Sequence, residues 1–255
     1  MTRKSAQIFD LDGTAIDSPV HQLPSQRLIN AIAHHQDKYY FCAATGRSWS
    51  YGQEVLQALN LTDPCVITAG TQICNPQTGE IIWQKNIEPS DVLQVLDIFK
   101  QYPDLYMLRN DYSLSDYAEK KYQVKSFIPP EEIFFLELVD VEAGLADEIS
   151  QKLTQISGIA CLVLIAQDDN RNRDIHVLNK DATKEQAVAK LLEIIGISKD
   201  NATGIGDGGN DLHLFNAVGT KVAMGNASDA LKARADIVID SINNDGLAQY
   251  FESLN

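Results

Sequence analysis

Ala6-Gln7-Ile8-Phe9-Asp10-Leu11-Asp12-Gly13-Thr14 is the stretch whose reading decides the fold. Its apolar start reads as a strand over 6–10, and the strand delivers two acids, two residues apart, to a Gly-Thr turn. Side chains at i and i+2 of a strand project the same way, so these carboxylates repel unless a cation, a shared proton or donors from the turn offset their charge. Taken alone, Asp12-Gly13 is as readily an ordinary turn dipeptide.

Working outward, amphipathic and β-like runs alternate. The spacing of Leu28, Ile29 and Ile32 predicts a helix over 25–35, followed by a strand at 39–44, a helix at 50–59 and a strand at 65–69. The alternation returns after about residue 183. Val188, Leu191, Leu192 and Ile195 mark a helix over 185–195, and a strand ends near Ile205. A helix from about Asn210, a strand at 221–223, a short helix from Ser228, a strand at 237–239 and a last helix complete the chain. Such a βαβ pattern builds a parallel sheet with helices on both faces, an α/β fold. The middle differs, with a turn at 75–79 and a strand-like run at 81–83. Strand candidates at 105–109, 133–139, 160–166 and 174–178 outnumber helix candidates at 91–100 and 143–156. We therefore expect a discontinuous core, residues 1–82 plus 178–255, interrupted by an α+β domain with an antiparallel sheet over 83–177.

Composition narrows the function classes. The 255 residues carry 21 Lys and Arg against 35 Asp and Glu, a formal net charge of −14, which disfavours broad attraction to nucleic acid or anionic lipid. No apolar run approaches the roughly 18 residues of a membrane span, and the short stretch before the first strand candidate disfavours secretion by a classical signal, so neither a membrane nor a nucleic-acid partner is expected. Cys42, Cys65, Cys74 and Cys161 show no CxxC pairing, which fits reduced thiols and a cytoplasmic setting. His21, His34, His35, His176 and His213 form no ligand spacing and read as surface or core residues. A monomer or weak homo-oligomer is expected.

Three further stretches point to chemistry. Ala44-Thr45-Gly46-Arg47-Ser48 sets a hydroxyl and an open amide ahead of a helix, as an anion site needs, although Thr-Gly there is ordinarily an N-cap. Gly204-Ile205-Gly206-Asp207-Gly208-Gly209-Asn210-Asp211 adds another strand-end acid, flanking glycines and an Asn-Asp pair before a helix, more than simple turn chemistry requires. Lys184, opening the preceding helix, can bring a fixed positive charge to the same sheet edge, or be a solvated first-turn lysine.

In chain order, Asp10-Leu11-Asp12-Gly13-Thr14, Thr45-Gly46-Arg47, Lys184 and Gly206-Asp207-Gly208-Gly209-Asn210-Asp211 resemble motifs I to IV of the haloacid dehalogenase (HAD) superfamily. With Val222-Ala223-Met224-Gly225-Asn226-Ala227 and the insert, the chain is similar to the branch with a type C2 cap: Cof-like sugar-phosphate phosphatases, with sucrose-phosphate phosphatase and phosphomannomutase as relatives. One difference is Ala69-Gly70-Thr71, where Cof-like members often carry Asn-Gly-Ala. The resemblance implies a Rossmann-like core and a C2-type cap that selects substrate by closing over it. It implies a Mg²⁺-dependent phosphomonoester hydrolase acting on a small phosphorylated metabolite, foremost a sugar phosphate. Asp10 would be the nucleophile and form an aspartyl-phosphate, and Asp12 the general acid and base. Mg²⁺ would be held by the Asp10 side chain, the Asp12 carbonyl and Asp207, supported by Asn210 and Asp211. Thr45, the Gly46 amide and Lys184 would hold the phosphoryl oxygens. Arg109, Tyr112, Lys120, Lys121, Tyr122, Arg171 and Arg173 are the insert's candidates for substrate contact, of which one or two are expected to serve.

Other readings stand beside this one. Gly204 to Gly209 also matches GxGxxG, with Asp229 about 20 residues on, the interval of a dinucleotide-binding oxidoreductase. There, however, the ribose-binding acid ends the next strand, whereas Asp229 falls inside the following helix candidate. A phospho-accepting, receiver-like signalling module would share the Asp, acid cluster, Thr and Lys, but needs no insert of this size. A sugar phosphomutase of the same superfamily would pass the phosphoryl group to a second hydroxyl. The expected insert holds 9 basic and 17 acidic residues and the core 12 and 18, so part of the core's acidity lies in Asp10, Asp12, Asp207 and Asp211.

Overall fold

The computed structural model describes residues 3–17, 23–166 and 171–254; His21 lies outside them. The first segment runs β1 (Ser5–Phe9), α1 (Gln26–His35), β2 (Tyr39–Ala43), α2 (Trp49–Ala58), β3 (Cys65–Ile67), β4 (Gln72–Cys74) and β5 (Ile81–Gln84). The middle runs α3 (Pro89–Phe99), β6 (Tyr106–Arg109), α4 (Leu114–Ala118), β7 (Tyr122–Gln123), β8 (Phe135–Glu142), α5 (Ala143–Leu153), β9 (Ile159–Ile165) and β10 (Asn172–Asn179). The last segment runs α6 (Lys184–Ile195), β11 (Ala202–Gly206), α7 (Asp211–Ala217), β12 (Thr220–Ala223), α8 (Asp229–Lys232), β13 (Ile237–Val238) and α9 (Gly246–Glu252). Contacts divide the chain into two units: residues 1–47, 52–83 and 184–255, and residues 48–51 with 84–183. Because β10 continues to Asn179, the second unit runs past residue 177, the end that periodicity suggests.

In the first unit the strands lie in the order β13-β12-β11-β1-β2, all parallel. α6 covers one face by burying Ala187, Val188, Leu191 and Leu192 against Ala6, Ile8, Cys42 and Ala202. On the other side Phe251 of α9 meets Phe9 and Phe41 edge-on, with ring centroids 5.7 and 5.0 Å apart. Both strand faces are thus apolar, as a sheet covered twice requires. After β2 the chain returns to the opposite side of β1, and the carboxyl ends of β1 and β11 meet at this switch point, where such sheets bind ligands.

The third strand differs from expectation. β3 meets the parallel array through a single bridge, Ala44 to Val66, and otherwise forms a small sheet in the order β3-β4-β5. The strand stops at Ile67 because Thr68 and Ala69 take positive φ (50° and 57°), turning the chain back so that Cys65 faces Cys74. Ala69 holds a left-handed conformation that asparagine accommodates more readily than alanine.

The second unit is an antiparallel sheet in the order β7-β6-β8-β10-β9. One face carries Met107, Leu136, Leu138, Ile175 and Val177 against Val95, Leu96 and Phe99 of α3 and Ala146, Ile149 and Leu153 of α5. Strand alternation sends Phe135, Glu137, Asp174 and His176 to the opposite face. Asn179 Nδ2 donates to the Asn86 carbonyl at 2.8 Å, tying the two ends of the insert together. Among the described residues, no helix is long and apolar enough to cross a membrane.

Candidate active site

Adjacent strand ends in the first unit carry the sequence's acids to one place. The Asp10 amide donates to the Ile205 carbonyl at 3.0 Å and the Ala44 amide to the Phe9 carbonyl at 2.8 Å, so the ladder holds to the last residue of each strand. Gly13 then turns at φ 77°, and a Cβ there would stand 2.2 Å from the Asp207 carboxylate. Only glycine lets the first loop approach the fourth motif so closely. Asn226 Nδ2 fixes the same loop by donating to the Gly13 carbonyl at 2.8 Å.

Lys184, the first residue of α6, is buried rather than solvated. Its Nζ lies 2.8 Å from Asp211 Oδ1 and 3.2 Å from Asp10 Oδ1. Burial works against the ammonium, but the charges of Asp10 and Asp211 raise its pKa well above the ordinary value. The other oxygen of Asp211 accepts from the amides of Asp207 and Gly208, both at 3.0 Å, so this fully buried residue organises the loop that presents Asp207. Asn210 precedes α7 and makes no side-chain cap. Thr14 Oγ1 donates to Asp207 Oδ1 at 3.2 Å. Burial, then the charge of Asp211, pushes the Asp10 carboxyl well above the carboxylate range despite Lys184. The same two causes push Asp207 up to about 6, against the Thr14 hydrogen bond.

One carboxylate oxygen from each of Asp10, Asp207 and Asp211 lies within 4.8 Å of the others. Three hard oxygen donors, two of them pushed toward protonation by crowding and burial, fit a small hard dication such as Mg²⁺, which offsets their mutual repulsion. Thr45 is buried and its Oγ1 accepts from the Arg47 amide at 3.1 Å, which shapes the loop around the half-buried Gly46.

Arg47 is the residue that sequence reasoning left without a role. Its buried guanidinium grips the half-exposed Asp12 carboxylate with two bonds, Nε to Oδ2 at 3.0 Å and Nη2 to Oδ1 at 2.5 Å. The signal was the arginine in the quoted motif, yet its partner follows the neighbouring strand β1, far off in sequence.

Among the insert's seven candidates, Arg109 and Lys121 both approach the Tyr122 ring. Lys120 pairs with Asp140, Lys121 with Asp116 at 2.5 Å, and Arg173 Nη1 donates to the Asn172 carbonyl at 2.8 Å. Arg109 lies 5.7 Å from the Tyr122 ring, Arg171 is exposed, and Tyr112 is buried with its hydroxyl pKa raised by burial and then by Glu137. Glu137 and Asp174, both buried, are polar groups sequence reasoning passed over, and His176, which it read as a surface or core residue, is buried too. The available signal was a charge or imidazole within an apolar strand.

The whole fold and site stand within one family match: the model for haloacid dehalogenase-like hydrolases aligns with residues 7–251. The chain is 25% identical to the pyridoxal phosphate phosphatase YbhA of Escherichia coli over 96% of each chain. It is 24% identical to the 5-amino-6-(5-phospho-D-ribitylamino)uracil phosphatase YcsE of Bacillus subtilis, over 94% of this chain and 92% of that protein. A solved HAD subclass IIB sugar phosphatase superposes with a TM-score of 0.75 at 21% identity, covering 98% of both chains. With its motifs on adjoining strand ends and a family match spanning nearly its full length, the chain belongs to the haloacid dehalogenase-like hydrolases and is a phosphatase.

Proposed function

We propose that the protein hydrolyses the phosphate monoester of a small hydroxyl-bearing metabolite, foremost a sugar phosphate, through a covalent intermediate on Asp10. The observation that carries this reading is the buried Lys184 held between Asp10 and Asp211 beside Asp207. A cation so placed aligns the Asp10 carboxylate and meets a phosphoryl group with fixed positive charge.

Asp10 Oδ attacks phosphorus as the bond from phosphorus to the substrate oxygen breaks, and the departing oxygen takes a proton from Asp12. Water then attacks the aspartyl-phosphate and gives its proton to Asp12. Inorganic phosphate leaves and Asp10 is regenerated. Arg47 orients Asp12 through its two bonds to the carboxylate, and proton donation in the first half requires that grip to loosen. Thr45, the Gly46 amide and Lys184 take the phosphoryl oxygens. Asp10, Asp207 and the Asp12 carbonyl, with Asp211 and Asn210 around them, would hold Mg²⁺. Bound there, the ion supplies charge neutralisation for the phosphoryl oxygens.

The inserted unit selects the substrate's alcohol part, and the enzyme works in the cytoplasm as a monomer or weak homo-oligomer. Both curated relatives are named for monophosphates of hydroxyl-bearing molecules, which supports this substrate class over nucleic acid. The test is a phosphate-release screen over small monophosphates with and without Mg²⁺. We expect turnover that requires the metal and disappears in Asp10→Asn while the thermal melt stays cooperative. Retained turnover in purified Asp10→Asn would overturn the mechanism.

A further inference from the structure

We propose that Asn226 is a positioning residue: it fixes the spacing between the loop that carries Asp12 and the loop that carries Asp207, and so the arrangement of oxygen donors around the acid cluster. This deepens the phosphatase reading above and rests on it for the role of those donors.

The loop after β12 is docked onto the end of β11. The Met224 amide donates to the Gly206 carbonyl at 2.9 Å, and the Ser228 amide to the Asp207 carbonyl at 3.0 Å. The loop is also held from behind, where the Gly225 amide donates to the Asp240 carbonyl at 3.2 Å. A Cβ on Gly225 would stand 2.7 Å from the Ser241 nitrogen, so only glycine admits that approach. Between these points Asn226 uses both ends of its side-chain amide. Its Oδ1 accepts from the Ile242 amide at 2.9 Å, and its Nδ2 donates to the Gly13 carbonyl at 2.8 Å.

The loop that receives this second bond is closed mainly on itself. The Leu11 carbonyl accepts from the amides of Thr14, Ala15 and Ile16, and the Gly13 amide donates to the Ile16 carbonyl at 2.8 Å. A turn closed in this way moves as a body, so its distance from Asp207 is set by the bonds that leave it. Thr14 Oγ1 reaches Asp207 itself at 3.2 Å and so occupies an oxygen of a carboxylate that would hold Mg²⁺. Asn226 instead binds main chain on both sides and leaves every carboxylate oxygen free. The Asp12 carbonyl belongs to the peptide just before Gly13, so anchoring the Gly13 carbonyl limits how far that donor can turn. The same loop that holds the Asp207 carbonyl through Ser228 thus holds the Asp12 loop through Asn226. Outer contacts of this kind orient the groups that bind a metal.

The two ends of the amide can be removed separately. At neutral pH Asn226→Asp keeps an acceptor for the Ile242 amide but has no proton to donate to Gly13, whereas Asn226→Ala loses both bonds. The test measures Mg²⁺ binding to the substrate-free protein by calorimetry, with kcat, KM and the thermal melt beside it. An added carboxylate acting by charge alone would tighten the binding of a dication, so a weaker Asn226→Asp reports the lost brace. We expect both variants to bind Mg²⁺ roughly tenfold to a hundredfold more weakly and to lose kcat to a similar extent at saturating substrate. Asn226→Asp should melt closer to the wild type than Asn226→Ala does. Wild-type or tighter Mg²⁺ binding in Asn226→Asp overturns the proposal, and so does an Asn226→Ala that loses melting temperature alone. Should the alanine variant fail to fold, the aspartate variant decides, since it keeps the tie to Ile242. Mg²⁺ binding that weakens in Asn226→Asp without wild-type turnover of any monophosphate sinks only the phosphatase reading. Turnover with unchanged Mg²⁺ binding in Asn226→Asp sinks only this one.

Discussion

Lys184 shows how one buried charge can hold a site together. Its ammonium lies between two carboxylates that are themselves almost wholly buried, so the Lys184→Met variant keeps the side chain's bulk but leaves both acids uncompensated. Breaking a buried pair in this way costs about 3–5 kcal/mol. We therefore expect Lys184→Met to melt well below the wild type at pH 7. The gap should narrow toward pH 5, because protonation of Asp10, whose carboxyl burial already pushes up, removes its repulsion with Asp211; a gap independent of pH would contradict this account. The residue scale is also where sequence legibility is most uneven. Asp10, Lys184 and Asp207 can be picked out because each ends a strand or opens a helix. Arg47 shares a motif with Thr45 and Gly46, but its bidentate hold on Asp12 depends on strand order, which no local pattern carries. Glu137 was hidden for the opposite reason: periodicity marks its strand as apolar, and a single polar residue within such a run reads as noise.

Strands and helices were legible wherever they alternate in the parallel sheet, because burial on two faces leaves unbroken apolar runs such as Ile8-Phe9 and Phe41-Cys42-Ala43. The five-residue α4, which buries no residue, gave no periodicity to read. Two predictions belong at this scale. At the β11–α7 turn, a Cβ on Gly206 would come within 2.4 Å of the Asp211 carboxylate, whereas one on Gly209 would meet nothing within 4 Å. Gly206→Ala should displace Asp211 from the amides of Asp207 and Gly208 and lower kcat/KM by about a hundredfold or more, as misplacement of catalytic groups does. Gly209→Ala should keep its melting temperature, and equal loss of stability in both variants would refute the steric argument. In the insert, the β8–β10 pairing shifts register beside Asp174, and the Asp140 amide reaches its carboxylate. Burial, then the charge of Glu137, pushes the Asp174 carboxyl from near 3.8 up to about 6, opposed by the Asp140 amide, His176 and Tyr117. A carboxyl whose native pKa is raised destabilises the fold increasingly as pH rises between those values, because the native state gives up its proton later than the unfolded chain. Asp174→Asn should therefore gain stability relative to the wild type from pH 4 to about 6 and hold that gain above it; a difference in melting temperature that stays flat across the window would rule this out.

Across the whole molecule, one chain builds two cores, and the insert meets the conditions for folding alone. Residues 84–183 are a single uninterrupted segment, whereas the other unit is assembled from separated pieces of sequence. The insert's sheet buries Phe99, Met107, Leu136, Leu138, Ile149, Leu153, Ile175 and Val177 in one cluster with α3 and α5. Its ends are joined from within by the Asn179 to Asn86 bond and by the Ile87 amide donating to the Ile133 carbonyl at 2.8 Å. A domain inserted into a surface connection must close on itself in this way, since its host fixes only where it enters and leaves. What the segment lacks is residues 48–51, where Ser48 hydrogen-bonds to the backbone of Tyr112 and the Ser50 amide donates to Asp111 at 2.8 Å. Losing those bonds frees the loop after β6 without touching the main apolar cluster, at a cost of about 1 kcal/mol per bond. Expressed alone, residues 84–183 should show a mixed helix and sheet spectrum and a single cooperative thermal transition. That transition should fall below the one assigned to the same segment in the full chain, with amide exchange fastest around 110–113; a fragment that melts without cooperativity would show that this core depends on the rest of the protein.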